Sequence, residues 1–134
     1  LKNLRVLPFQ PFTEYSQVLG CADILLALIE PEAGIFSVPS KVLSYLCAAR
    51  ALVLSIPPEN LAAKIVTGIG AGVCVDPRER DAFFTAVIGY LDDAPRRSAD
   101  GRRGREYAEK EFDIDRITDQ FEAVFQKVLA QRTA

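Results

Sequence analysis

The chain has 134 residues, of which 49% are hydrophobic and 25% are charged, and its formal net charge at pH 7 is −2. This length is enough for one domain with a buried core, and the small negative charge gives no electrostatic reason to expect nucleic-acid binding. The sequence contains no histidine, which excludes Ser-His-Asp and Cys-His catalytic groups from these residues and argues against a zinc site.

Short apolar runs alternate with stretches of helical length through the first half of the chain. Runs of four to six apolar residues are typical of strands buried on both faces of a parallel sheet. Strands that alternate with helices predict βαβ units, and hence an α/β fold with part of a doubly wound, Rossmann-like sheet. In chain order we predict a strand at Leu4–Pro8, a helix at Thr13–Cys21, a strand at Ile24–Ile29, a helix at Ser40–Ala49, a strand at Ala51–Ile56, a helix at Asn60–Gly68 and a strand at Gly72–Val75.

The sequence after Asp76 predicts helices. Pro77 can open a helix that ends near Asp92–Pro95, and Arg96–Lys110 predicts a solvated helix face rather than a phosphate-binding patch, because acids are interspersed among its arginines. An amphipathic helical tail follows at Ile114–Leu129, and its apolar stripe needs a surface to pack on. No glycine-rich turn follows a first central strand, so we interpret residues 1–134 as a single domain that is part of a larger one.

Three cysteines, Cys21, Cys47 and Cys74, lie far apart in apolar contexts without a CxxC motif. This pattern predicts buried thiols in a reducing compartment, which favours a cytoplasmic protein. The chain starts without signal-peptide character, and no run of about 18 apolar residues could span a bilayer.

The stretch GIFSVPSKVLSYL suggests an anion site at the start of a helix. In open α/β sheets, ligands bind beyond the carboxyl ends of the strands, and the loop Glu30–Val38 lies there. Pro39 suits a first helical turn, and the backbone amides of Ser40, Lys41 and Val42 would point out of the helix toward an anion. The Lys41 ammonium and the Ser40 hydroxyl add donors, so the turn could stabilise a departing diphosphate. The alternative is an ordinary helix start that binds nothing.

Three further polar residues are candidates near this turn. Glu30 and Glu32 could orient a sugar or take part in acid–base chemistry, although acidic loop residues are usually only solvated. Ser44 lies one helical turn after Ser40 and could reach the same ligand. Its alternative role is that of a packing or surface serine.

Several segments, taken together and in order, resemble the carboxyl-terminal part of GT-B glycosyltransferases of family 4. They are ADILL, PSK, YLCAARALVLS, GAGVCVDP and GRRGREYAEKEF. The resemblance implies the donor-binding half of an enzyme that moves a sugar from a nucleotide diphospho-sugar to an acceptor hydroxyl, in surface polysaccharide or glycolipid synthesis. The residues that it implies for the donor diphosphate and sugar are Glu32, Val38, Pro39, Ser40, Lys41 and Ser44.

The resemblance also implies what lies around this chain. It implies no metal and no other cofactor, and an acceptor-binding amino-terminal domain outside these residues. The whole enzyme would be cytoplasmic, with peripheral association at the inner face of the membrane, and the isolated chain would be inactive. Without the first strands of its domain, the strand at Leu4–Pro8 would form an open sheet edge and promote self-association.

The chain also departs from the family pattern. Many members carry two glutamates eight residues apart, the second of which binds the ribose hydroxyls, whereas this chain has Phe36 and Ser44 at those positions. The glycine and proline of the family's AaGkPvv segment are missing from Ala48–Val53, which predicts an altered turn before an intact strand. These departures favour an alternative function, a non-catalytic α/β module that acts by packing or association.

Overall fold

The computed structural model describes residues 1–32, 37 and 39–132, and their fold is α/β, as predicted. Phe36 and Val38 lie outside the described residues. The strands are β1 (Ile24–Leu28), β2 (Ala51–Ser55) and β3 (Gly72–Val75). A 3-10 turn at Phe12–Glu14 precedes the helices, which are α1 (Tyr15–Gly20), α2 (Ser40–Cys47), α3 (Leu61–Ile69), α4 (Arg80–Asp92), α5 (Ala94–Glu111) and α6 (Ile114–Arg132).

The described strands form one parallel sheet in the order β1-β2-β3, with β2 in the centre. All five residues of β2 are buried, because it has a neighbouring strand on each side and helices on both faces. On one face, Leu52 and Leu54 pack in a core with α2, α3 and α5. On the other face, Ala51 and Val53 contact the fully buried Tyr90 of α4. The continuous apolar run of β2 is therefore what this environment requires.

Helix α5 packs closely against the core, which corrects part of the sequence-based interpretation. One face of Arg96–Lys110 is solvated, as predicted, but Asp100, Gly101, Gly104 and Ala108 are buried. Gly101 permits the close approach, since a Cβ atom there would lie 2.4 Å from the carbonyl oxygen of Ala49. The Asp100 carboxylate accepts hydrogen bonds from the Tyr90 hydroxyl and the Arg103 guanidinium, so this buried charge is paired.

The turn between α2 and β2 adopts a left-handed conformation without a glycine. Ala49 has φ 55°, in the region that glycine favours. The strand that follows is intact, as predicted. Arg50, the next residue, donates two hydrogen bonds to the carbonyl oxygen of Gly20 and so joins this turn to the end of α1.

The predicted strand at Leu4–Pro8 is wrong. These residues have no regular secondary structure, and Leu4 and Val6 are 65% and 85% exposed. Arg5 and Pro8 weaken the strand propensity of this short run, and no described strand pairs with it. An extended segment without a paired neighbour has no regular hydrogen-bond partner for its backbone, so it remains irregular.

Two of the three cysteines are not buried, contrary to the prediction. Cys21 and Cys47 are exposed, because they lie at the surface ends of α1 and α2, whereas Cys74 is partly buried in β3. Burial raises the pKa of the Cys74 thiol to about 12. The apolar sequence context predicted burial for all three thiols, and only that of Cys74 is partly buried.

Candidate functional site

A cleft of about 580 Å³ lies at the carboxyl edge of the sheet. Because the strands are parallel, the segments that follow them meet at this edge, which is where open α/β sheets bind ligands. The lining residues come from the segments after all three strands, namely Pro31, Glu32, Pro57, Glu59, Asp76 and Arg78.

The side chains that line this cleft carry more negative than positive charge. Among the described lining residues, Glu32, Glu59 and Asp76 are acidic and Arg78 is the one cation. Arg78 is already paired, since its Nε lies 2.9 Å from Asp76 Oδ1 and a terminal nitrogen lies 2.8 Å from Oδ2. These hydrogen bonds lower the pKa of the Asp76 carboxyl. The carboxylates can accept hydrogen bonds from sugar hydroxyls, but they would repel a phosphate placed among them.

Helix α2 begins at Ser40, as predicted. Pro39 does not belong to the first helical turn, contrary to the prediction, because its ψ of 108° (φ −68°) is extended and it precedes the helix as the N-cap residue without a side-chain cap. One part of the expected anion site is absent, because the amide of Val42 donates to the carbonyl oxygen of Pro39 at 2.9 Å. The amides of Ser40 and Lys41 remain as candidate donors.

The side chains at the start of α2 differ in their access to a ligand. Ser40 and Lys41 are exposed, whereas Pro39 is buried and serves to orient the turn. Asn60, which caps α3, donates from Nδ2 to the carbonyl oxygen of Ser37 at 2.8 Å. This bond ties the segment before α2 to the start of α3, so both helix starts lie on the carboxyl side of the sheet.

The structure does not bring all the predicted site residues together. Glu32 lines the carboxyl-edge cleft, but Ser44 lines a different groove of about 420 Å³ together with Phe12, Tyr15 and Arg105. The half-buried Ser44 faces the amino-terminal segment, which favours its packing role. Val38, the remaining predicted residue, lies outside the described residues.

Sequence reasoning missed Glu59, Asp76 and Arg78 as residues of the cleft. The signal was available, because these residues lie within four residues of the ends of β2 and β3, and parallel strands end at one edge. The predicted site was limited to the helix-start motif after β1, and these three residues lie outside that motif. The segments after β2 and β3 come close to the segment after β1 only because the three strands pair in one sheet. Within the described ranges, no group of three or more Asp, Glu, Cys or His side chains could hold a metal ion.

The amino edge of the sheet carries a second polar cavity, of about 300 Å³, lined by Arg50 and Arg97 among others. Both guanidinium groups have structural partners. Arg50 holds the carbonyl of Gly20, and Arg97 donates to the carbonyl oxygen of Tyr90 and lies 3.4 Å from the carboxylate of Asp23. These arginines therefore join helix ends to the sheet.

Comparison with known proteins found no matching family model, no matching curated protein and no matching solved structure. None of the helices in the described part of the chain has the length and apolar character needed to cross a membrane.

Proposed function

We propose that this chain forms the donor-binding part of a glycosyltransferase that moves a sugar from a nucleotide diphospho-sugar to an acceptor hydroxyl, in surface polysaccharide or glycolipid synthesis. The sequence resemblance to family 4 GT-B enzymes supports the proposal. The observation that carries it is the position of the α2 start, which follows the parallel strand β1 and presents exposed Ser40 and Lys41 on the carboxyl side of the sheet.

In this proposal the two parts of the donor bind at places of opposite charge, the diphosphate at the positive start of α2 and the sugar at the acidic cleft. The diphosphate binds at the α2 start, where the amides of Ser40 and Lys41, the helix dipole and the Lys41 ammonium stabilise negative charge. The sugar extends toward the carboxylates of the cleft, where Glu32 accepts hydrogen bonds from its hydroxyl groups. As the glycosidic bond to the donor breaks, charge builds on the leaving diphosphate and the α2 start stabilises it.

The proposal includes partners outside these residues. A separate domain supplies the acceptor site, no metal or other cofactor takes part, and the enzyme works in the cytoplasm at the inner face of the membrane. Without the acceptor site, this chain binds the donor but does not catalyse transfer.

A second candidate function is a non-catalytic association module with the same fold. The excess of carboxylates in the cleft and the separation of Ser44 from Glu32 favour it. In this case the cleft binds no nucleotide, and the protein acts through its exposed apolar surfaces.

Nucleotide titration of the protein in metal-free buffer tests the proposal. We expect UDP, GDP or one of their sugar conjugates to raise the melting temperature, with about 2.7 kcal/mol of stabilisation at a ligand concentration 100 times Kd. Lys41→Ala removes a charge-assisted hydrogen bond, which contributes about 1.5–3 kcal/mol, and should therefore weaken binding about ten-fold or more. Lys2→Ala is the matched control, because it removes the same charge from the exposed amino-terminal segment and should leave Kd unchanged.

Two results would contradict this function. If no nucleotide or nucleotide-sugar changes the melting temperature or gives heat in calorimetry, the association module is the better assignment. If a nucleotide binds but Lys41→Ala has the same Kd as the parent, the diphosphate does not lie at the α2 start.

A further inference from the structure

Helix α6 carries a long apolar stripe that the described core leaves largely uncovered. Phe121, Val124 and Val128 are 61%, 57% and 49% exposed, and Ile114 at the start of the helix is 70% exposed. Phe125 and Leu129 widen the stripe and are 61% and 62% exposed. Exposed apolar patches of this kind mark interaction sites.

The spacing within this stripe follows the pattern of a helix pair. Ile114, Ile117, Phe121, Val124 and Val128 are separated by steps of three, four, three and four residues. Steps of this kind keep side chains on one seam of a helix that packs lengthwise against another helix. The seam therefore fits a second helix of similar length better than a flat or curved sheet surface.

We propose that the occupant of this seam is α6 of a second copy of the chain, packed antiparallel. In the symmetric register, Ile117 of one copy meets Phe121 of the other, and Ile114 meets Val124. Each contact then occurs twice about a two-fold axis at the level of residue 119, which gives a closed, isologous dimer.

Charge complementarity selects this orientation. Asp113 and Lys127 each come immediately before a seam residue, so in the antiparallel register the carboxylate of one copy lies beside the ammonium of the other. The Asp113 carboxylate is held in place, since its Oδ1 accepts the backbone N–H of Arg116 at 3.0 Å. A parallel pair in register would instead place Asp113 level with Asp113 of the other copy, fourteen residues along the helix from Lys127, and would lose both ion pairs.

The connection to the core holds the start of α6 in place. Phe112 packs against the core and makes an edge-to-face contact with Tyr107, with 5.9 Å between the ring centroids. The helix starts two residues later. This inference does not depend on the proposed function.

Sedimentation equilibrium of the full chain from about 5 to 500 μM tests whether the dimer forms. We expect a concentration-dependent monomer–dimer equilibrium, and we expect the double variant F121E/V124E to raise the dissociation constant about a hundred-fold, because it places two charges in the centre of the seam. Both positions are exposed in the single chain, so the variant should keep its circular dichroism spectrum and melting temperature at low concentration.

The matched control is A123E/Q126E, which adds the same two charges to exposed positions of α6 outside the seam. It should dimerise like the parent. A parent chain that is monomeric at every concentration overturns the proposal, whether α6 then binds lipid vesicles or another domain. A dimer that persists unchanged in F121E/V124E also overturns it, because the contact then lies elsewhere.

A cysteine at residue 120 tests the orientation. The exposed thiols are first removed by C21S and C47S, and the remaining Cys74 is partly buried in β3. Gln120 lies midway between Asp113 and Lys127 on the same side of the seam. In the antiparallel register Gln120→Cys therefore lies beside its own copy and should form a disulfide-linked dimer under mild oxidation, whereas Lys127→Cys should not. Linkage through residue 127 and not through residue 120 overturns the antiparallel register.

Discussion

Two five-residue apolar runs of this chain have opposite environments. In β2, Leu52 and Val53 have no exposed surface, whereas in the amino-terminal segment Leu4 and Val6 are 65% and 85% exposed. Both runs contain leucine and valine, and although Arg5 and Pro8 lower the strand propensity of residues 4–8, the larger difference lies in their neighbours. β2 has a hydrogen-bonded strand on each side and helices on both faces, and residues 4–8 pair with no described strand. Burial in this fold therefore depends on partners that are distant in sequence.

The largest expected change in stability comes from adding a methyl group at Gly72, the first residue of β3, which lies directly against Leu52 of the central strand β2. A Cβ atom there would lie 2.1 Å from the carbonyl oxygen of Leu52 and 2.8 Å from its carbonyl carbon. Backbone atoms of a central strand cannot move aside without breaking the pairing of β2 with β3. We expect Gly72→Ala to lower the free energy of unfolding by about 3 kcal/mol or more, measured by urea denaturation.

Gly89→Ala is the control for this substitution. Gly89 lies within α4, and a methyl group added there would have no other atom within 4 Å, its chain neighbours and its own helix backbone aside. Alanine is a better helix former than glycine, so this variant should be more stable than the parent by up to about 1 kcal/mol. If the two variants have the same unfolding midpoint, the tight contact between β2 and β3 does not exist.

A smaller effect, and of opposite sign, is expected at the turn that leads into β2. Ala49 has φ 55°, a conformation that is unfavourable by about 1–2 kcal/mol for an L-residue. Glycine removes this strain but gains freedom in the unfolded chain, which offsets part of the benefit. We therefore expect Ala49→Gly to raise the free energy of unfolding, measured by urea denaturation, by up to about 1 kcal/mol.

Ala48→Gly tests whether the gain is specific to the left-handed residue. Ala48 has φ −78°, an ordinary helical value, so glycine there should destabilise the protein by about 0.5–1 kcal/mol. Two glycine variants that change stability in the same direction would contradict the left-handed turn at Ala49.

The elements around the sheet could be predicted from the sequence because local pattern and long-range environment agree there. The predicted strand Gly72–Val75 has the observed bounds, and Ile24–Ile29 and Ala51–Ile56 each extend one residue too far. The buried face of α5 could not be predicted from the local sequence pattern. Its small residues Gly101 and Gly104 pack against the backbone and side chains of other elements, and a charged composition conceals that contact.

The candidate site was only partly predictable for a related reason. The start of α2 at Ser40 has a local signal in Pro39, and that prediction is confirmed. The cleft combines segments after three strands, so its charge depends on Glu59, Asp76 and Arg78 as much as on Glu32. The orientation of Ser44 toward Phe12 and Tyr15 depends on where the amino-terminal segment lies, which spacing within α2 does not reveal.

The smallest expected effect concerns the amino-terminal segment and gives the sharpest test of the contrast with β2. The double variant L4S/V6S changes two side chains that are more than half exposed, so it should change the free energy of unfolding by less than about 0.5 kcal/mol. Val53→Ala, which removes only two methyl groups but takes them from the fully buried β2, should lower it by more than about 1 kcal/mol. A loss above about 1 kcal/mol in L4S/V6S would mean that this segment is buried in solution, and the open edge of β1 would be the place where it pairs.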